Sequence, residues 1–182
     1  KKKIYSKGLK LKTNSDTEVI LKMYMIFGTE CIKYFDGMWA FTIYDCSKEL
    51  VFISRDRIGE KPLYFFKKKN GFFFGSQTIF LRALADNYNI INTKKICSYL
   101  KYGYKTIEQT NESFFEDIFK LESATNIIIN KNLEIKYKKY WKPDFSEKKL
   151  SENQYSELIK ENFNKKIKQI CKSNLKIGLS LS

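Results

Sequence analysis

The sequence predicts two folded pieces: a mixed α+β domain over residues 1–134 and the start of an α/β domain over residues 135–182. Three observations carry that prediction. A capped amphipathic helix comes early. Hairpin signals follow twice in succession. Near the end a long amphipathic helix leads into a short apolar run shaped like a buried parallel strand. Composition permits a packed core. Of 182 residues 43% are apolar and 16% aromatic, against 8 Gly and 2 Pro, which excludes wholesale disorder and linker or fibrous classes.

Each element has a local reason. Ser15-Asp16-Thr17-Glu18 sets a cap residue three positions before an acidic one, the pattern of a capping box. Val19, Ile20, Met23, Tyr24 and Phe27 then recur at helical spacing, and Gly28 is placed to end the helix. Asp36-Gly37 signals a turn. Residues 38–44 and 50–54 are rich in apolar and β-forming side chains, joined by a polar stretch that reads as a hairpin. A second pair, 63–66 and 72–74, surrounds Asn70-Gly71, the dipeptide best suited to a tight hairpin turn. These rules predict 38–44, 50–54 and 72–74 as neighbouring antiparallel strands.

Between the hairpins, Arg55-Asp56-Arg57-Ile58-Gly59-Glu60-Lys61-Pro62 is charged and holds both Gly and Pro, so it is read as a loop. Arg–carboxylate pairs are the expected means of holding it, with a phosphate clamp as the less favoured reading. Residues 76–84 and 94–102 suit short helices, and 118–121, 127–129 and 133–140 suit strands. Trp141-Lys142-Pro143 breaks the pattern near the expected boundary. Beyond it, Tyr155, Ile159, Phe163, Ile167 and Ile170 line one helical face over residues 151–171, and 175–181 reads as the parallel strand.

Residue types narrow the chemistry. There is no His, which excludes a Ser-His-Asp triad, a Cys-His pair and a His-ligated metal. Cys31, Cys46, Cys97 and Cys171 are too widely spaced for a zinc pattern, and they read as reduced thiols of a cytoplasmic protein. No apolar stretch is long enough to span a membrane as a helix, and residues 1–12 hold no secretory signal. The absence of an initiator Met points to a missing N-terminal piece. The net charge of +14 raises a nucleic-acid-binding module as a reading from another class. However, 31 of the 34 basic residues are Lys, scattered from end to end beside only Arg55, Arg57 and Arg82. Arg is the residue that base and phosphate recognition favours, so a compositional bias is preferred and no specific nucleic-acid partner is expected. A pure interaction domain ranks last.

Five segments in order resemble the glutamine-dependent asparagine synthetase family. Asn14-Ser15-Asp16-Thr17-Glu18-Val19-Ile20-Leu21 is similar to its SDxEV(I/L)L motif, and Phe35-Asp36-Gly37-Met38-Trp39-Ala40-Phe41 to LDGMFAF. Residues 55–64 follow RDRxGxKPLYY nearly throughout. Phe74-Gly75-Ser76-Gln77 is similar to F(A/G)SE, with Gln for Glu. Ile177-Gly178-Leu179-Ser180-Leu181-Ser182 is similar to the strand entering the family's SGGxDS loop, cut at its first Ser.

The resemblance implies the C-terminal part of an Ntn-hydrolase-type αββα glutaminase sandwich over residues 1–134, then the start of an ATP-pyrophosphatase-type domain over 135–182, truncated at the phosphate loop. It implies glutamine hydrolysis supplying ammonia to an adenylated aspartate β-carboxylate, giving asparagine, AMP and pyrophosphate. Amidation of a sugar acid or another carboxylate is the alternative within the family. The partners implied are glutamine, aspartate and ATP, with Mg2+ accompanying the nucleotide, and a homodimer is compatible with them. Asp16 is carried over as the glutamine-binding carboxylate, and Ser180 and Ser182 as ATP contacts. No catalytic residue is assigned, because the family's nucleophile is an N-terminal Cys upstream of Lys1. The chain therefore reads as a middle fragment, inactive alone. The family's Pro-Gly turn is replaced by Leu121-Glu122-Ser123-Ala124, which loosens the assignment of aspartate as acceptor.

Overall fold

The computed structural model describes residues 2–69, 71–85, 90–106, 110–146, 149–171 and 176–178. The chain divides into two units, Lys1–Lys142 and Pro143–Ser182.

Apolar residues at helical spacing build the outer layer of the first unit. After the short helix α1 (Lys2–Tyr5), helix α2 (Asp16–Phe27) turns Met23 and Tyr24 inward. Gly28 ends it at a φ of 57°, where a residue without Cβ is favoured, and donates its N–H to the Tyr24 carbonyl. The 3-10 helix Gly28–Tyr34 then adds Cys31 and Ile32. Together with Ile4, these side chains pack on Trp39, Ile43 and Phe52.

Strands β1 (Ala40–Asp45) and β2 (Leu50–Arg55) form the first hairpin, and β3 (Tyr64–Lys68) and β4 (Gly71–Gly75) the second. Helices α3 (Thr78–Leu84) and α4 (Thr93–Tyr102) follow, then β5 (Ile118–Lys120), β6 (Thr125–Ile129) and β7 (Ile135–Lys139). Two antiparallel sheets result, ordered β1-β2-β6-β7 and β4-β3-β5.

Strand alternation assigns each side chain to a layer. On β2, Phe52 meets the helical layer, while Ile53 joins Ile127, Ile129, Leu63 and Leu121 in a second cluster bordered by Phe65, Phe72 and Phe74 of the other sheet. On that sheet's far side Phe66 and Ile118 pack with Leu81 and Ala85, from α3 and its end. The order is helix, sheet, sheet, helix, the layering expected for an αββα sandwich.

Two expectations are corrected. Residues 72–74 do not lie beside β1 and β2; they sit in the other sheet and face β2 across the core, because the pairing partner of β4 is β3. The expected boundary after residue 134 sets 135–139 in the second piece, yet they extend the first sheet by pairing with β6, Ile129 opposite Ile135 and Thr125 opposite Lys139. The first unit thus ends at Lys142 instead of 134. Turn polarity predicts a break equally well on either side of a short edge strand; only pairing decides its membership.

In the second unit, helix α5 (Glu152–Ile170) starts with a full capping box, Ser151 and Gln154 each bonding the other's backbone. Its apolar face is exposed, with Phe163 at 65% and Ile159 at 66%. Of the stretch 175–181 read as a strand, only Lys176–Gly178 is described, and those three residues belong to no strand. Asn70, within the predicted tight turn, lies outside the described residues. No helix among the described residues is long and apolar enough to cross a membrane.

Phe52 is fully buried and contacts the rings of Tyr24 and Phe41, each at a centroid distance of 5.8 Å. Phe52→Ala is expected to lower unfolding free energy by about 3–5 kcal/mol, from lost transfer energy and the cavity left behind. Denaturant titration of the two chains measures it.

Candidate functional site

Asp16 is the first residue of α2. Acidic residues in a first turn sit at the positive end of the helix dipole. Its side chain is exposed, and no hydrogen bond or ion pair holds it among the described residues. The reciprocal capping box expected from Ser15 and Glu18 is modified. Ser15 Oγ accepts from Thr17 N at 3.2 Å. Glu18 does not return to the Ser15 N–H but reaches further back. It accepts from Lys12 N at 2.8 Å, Thr13 N at 2.7 Å and Thr13 Oγ1 at 2.7 Å. Thr13 Oγ1 in turn accepts from Ser15 N at 3.2 Å. The Lys12 N–H and then the Thr13 hydroxyl hold the Glu18 carboxyl below the usual carboxylate range.

The loop after β2 is built around two buried charges. Asp56 is 1% exposed, and its carboxylate collects five backbone N–H groups. Oδ1 accepts from Ile58, Gly59 and Glu60 at 3.1, 2.6 and 3.0 Å, and Oδ2 from Lys61 and Trp39 at 3.0 and 3.3 Å. Burial pushes the Asp56 carboxyl up, but the N–H groups of Lys61, Glu60, Gly59 and Trp39 outweigh it and hold it below its ordinary range.

Arg55, 3% exposed, donates Nε to the Lys61 carbonyl at 2.8 Å and its terminal nitrogens to the carbonyls of Leu121 and Gly59. Both charges are thus bonded to backbone of complementary polarity. Neither buried charge is turned outward as a phosphate clamp. Arg57 Nε is buried without a hydrogen-bond partner among the described residues.

Three residues tie this loop to the rest of the unit, and the sequence reading did not single them out. The Trp39 carbonyl accepts the Asp56 N–H, its own N–H goes to the Asp56 carboxylate, and its indole N–H is donated to Ser54 Oγ at 3.0 Å. Tyr140 stacks on Trp39 and donates its hydroxyl to the Arg55 carbonyl at 2.7 Å. Burial first, then the negative charge of Asp56, raise the Tyr140 hydroxyl, so it stays a donor at neutral pH. Ala124 donates its N–H to the Asp56 carbonyl at 2.8 Å from a φ of 54°, the position where the Pro-Gly turn was missed. The pattern signal was available for Trp39, inside a matched motif, but not for Tyr140, 85 residues away from its partner.

Of the other sequence-level candidates, Cys31 is fully buried and burial raises its thiol to about 11, so it is protonated at neutral pH. Ser180 and Ser182 lie outside the described residues. No group of three or more acidic or Cys side chains among the described residues could hold a metal ion.

Two predictions follow from the loop. A carboxylate held below its unfolded value stabilises above that value, and the contribution is lost as pH falls through the folded one. Unfolding free energy should therefore decline as pH drops below about 4, the ordinary Asp range. In Asp56→Asn that acid slope should be shallower and stability near neutrality lower by on the order of 2–3 kcal/mol, as bonds to a charged acceptor are lost. Denaturant titrations across pH test both. At Gly59, φ is 79° and an added Cβ would come within 3.0 Å of the Arg55 guanidinium carbon and 3.2 Å of Ser123 Cβ. Gly59→Ala should cost about 1–3 kcal/mol by the same measurement.

Comparison with known proteins follows the same residues. Residues 1–141 match the family described as "Glutamine amidotransferase domain". Over 151 residues the chain is 38% identical to "Putative asparagine synthetase (glutamine-hydrolyzing) 2" of Methanocaldococcus jannaschii, covering 80% of this chain and 29% of that protein. It is 35% identical over 77 residues to asparagine synthetase (glutamine-hydrolyzing) 3 of Bacillus subtilis, covering 42% of this chain and 12% of the relative. The chain thus spans less than a third of the length of either relative. Among solved structures, glutamine phosphoribosylpyrophosphate amidotransferase from B. subtilis aligns with a TM-score of 0.47 and 17% identity, over 76% of this chain and 25% of that one. With the family match running from the N-terminal helices through β7 to Trp141, the chain belongs to the glutamine amidotransferase domain family.

Proposed function

We propose that this chain is the glutamine-gripping part of a glutamine-hydrolysing asparagine synthetase. The observation that supports it most is the 38% identity to an asparagine synthetase relative over 80% of the chain. In this reading Asp16 pairs with the α-ammonium of glutamine. Asp16 is exposed at the first turn of α2 with no partner among the described residues, which leaves its carboxylate free to meet a cation.

In this reading the nucleophile is a cysteine thiol, a role given to none of Cys31, Cys46, Cys97 and Cys171. Attack on the glutamine side-chain carbonyl breaks its C–N bond and releases ammonia, and water then frees glutamate. Ammonia next attacks an aspartate β-carboxylate activated as its acyl-adenylate, forming the amide C–N bond as AMP leaves. ATP is the substrate that forms that adenylate with loss of pyrophosphate, and Mg2+ enters on its phosphates. Ser180 and Ser182 are the proposed ATP contacts at the entry to a phosphate loop. A cytoplasmic, homodimeric enzyme fits this chemistry.

Assays of the complete enzyme test the reading. Asp16→Ala should lower glutamine-dependent synthesis at least about tenfold, equivalent to about 1.4 kcal/mol. Synthesis from added ammonia should stay near the parent level, since only glutamine capture requires the α-ammonium contact. Equal loss with both nitrogen sources would remove Asp16 from the glutamine site.

A further inference from the structure

We propose that Glu18, acting through Thr13, is a positioning residue that makes Asp16 the carboxylate available for the amino-acid end of the substrate. This rests on the reading of Asp16 as the glutamine contact. The first turn of α2 holds two acidic residues, Asp16 and Glu18, in the same favourable dipole field. Hydrogen bonding separates their roles. Glu18 is consumed by the backbone of Lys12 and by both donors of Thr13. Asp16 is left exposed with no partner among the described residues.

The same bonds set the backbone from which Asp16 projects. Residues 12–17 are exposed, so apolar packing does not hold this turn. Its shape comes from a relay. Glu18 Oε2 accepts the Thr13 hydroxyl at 2.7 Å, and that hydroxyl oxygen accepts the Ser15 N–H at 3.2 Å. Ser15 Oγ then accepts from Thr17 N at 3.2 Å. Asp16 lies between the last two residues of the relay. In an ordinary capping box the acidic residue would bond the Ser15 N–H itself. Here Thr13 takes that place, and Glu18 spans six residues to fasten Lys12 as well. A charged acceptor makes stronger bonds than a neutral one, which suits a turn with no core beneath it. Misplacing a substrate-positioning group by about 1 Å can cost on the order of a hundredfold in rate, so a loosened turn should be felt at the substrate.

The test compares L-glutamine with glutaramate, its analogue lacking the α-amino group, as glutaminase substrates of the complete enzyme. If Glu18 positions Asp16, Glu18→Ala should lower kcat/KM for L-glutamine about tenfold, mainly through KM, and leave glutaramate hydrolysis close to the parent value. The preference for L-glutamine would then collapse. Glu18→Gln retains an acceptor oxygen and should recover part of that preference, while Thr13→Val, which cuts the relay, should resemble Glu18→Ala. A merely structural role would lower both substrates alike, and that result would overturn the proposal. It would also fall if Asp16→Ala abolished the preference while Glu18→Ala and Thr13→Val preserved it, leaving the Asp16 reading intact. A preference unchanged in Asp16→Ala would instead overturn the underlying reading. If Glu18→Ala does not fold, the preference ratios of Glu18→Gln and Thr13→Val decide the question.

Discussion

The buried carboxylate of Asp56 is the interaction on which the first unit is organised. Taking an ion out of water costs several kcal/mol unless its hydrogen-bonding capacity is met. Here five backbone N–H groups meet it, four of them from the loop that follows Asp56 in sequence. The loop wraps its own charge. Arg55, the preceding residue, performs the opposite task and gathers carbonyls from Lys61, Gly59 and Leu121. A segment without an apolar core is thereby fixed by two adjacent charges that bond backbone of complementary polarity.

This arrangement joins the two sheets at one end. Arg55 closes β2, Leu63 directly precedes β3, and Leu121 and Ala124 flank the turn between β5 and β6. Leu121 N bonds the Leu63 carbonyl and Ala124 N the Asp56 carbonyl, both at 2.8 Å. Each sheet therefore contributes to the same hydrogen-bonded knot. Gly59 belongs to it because its positive φ and its closeness to the Arg55 guanidinium leave no room for a Cβ. Ala124 holds a left-handed conformation in the same knot, at a φ of 54°.

The knot reaches helix α2 through Trp39. Its backbone is held by Asp56 and its indole by Ser54, and its ring packs against Tyr140 and Phe35. Trp39 also belongs to the cluster that seats α2 through Met23 and Tyr24. A second clamp, Tyr24 donating to Asp45 at 3.0 Å, pins the helix to the first hairpin. The helix that carries Asp16 is thus supported from the core. Its first turn is shaped separately, by Glu18 and Thr13 at the surface.

Local patterning placed helices α2 and α5 and both hairpins in their observed order. Apolar spacing set α2 and α5, Gly28 stopped α2, and β-forming runs broken by polar turns set the hairpins, since these depend on neighbours a few residues apart. It also marked Asp16 and the Arg55–Pro62 loop through motifs. Tertiary structure decided what depends on distant partners. It placed β4 in the second sheet and β7 in the first, and wrapped the backbone of residues 58–61 around Asp56. It also brought Tyr140 onto Arg55, and redirected Glu18 from Ser15 to Lys12 and Thr13. The strand placements and the Tyr140 contact share one physical reason. A side chain's periodicity is written locally, but a strand's neighbour and a buried charge's partner are selected only when folding brings remote backbone within hydrogen-bonding reach.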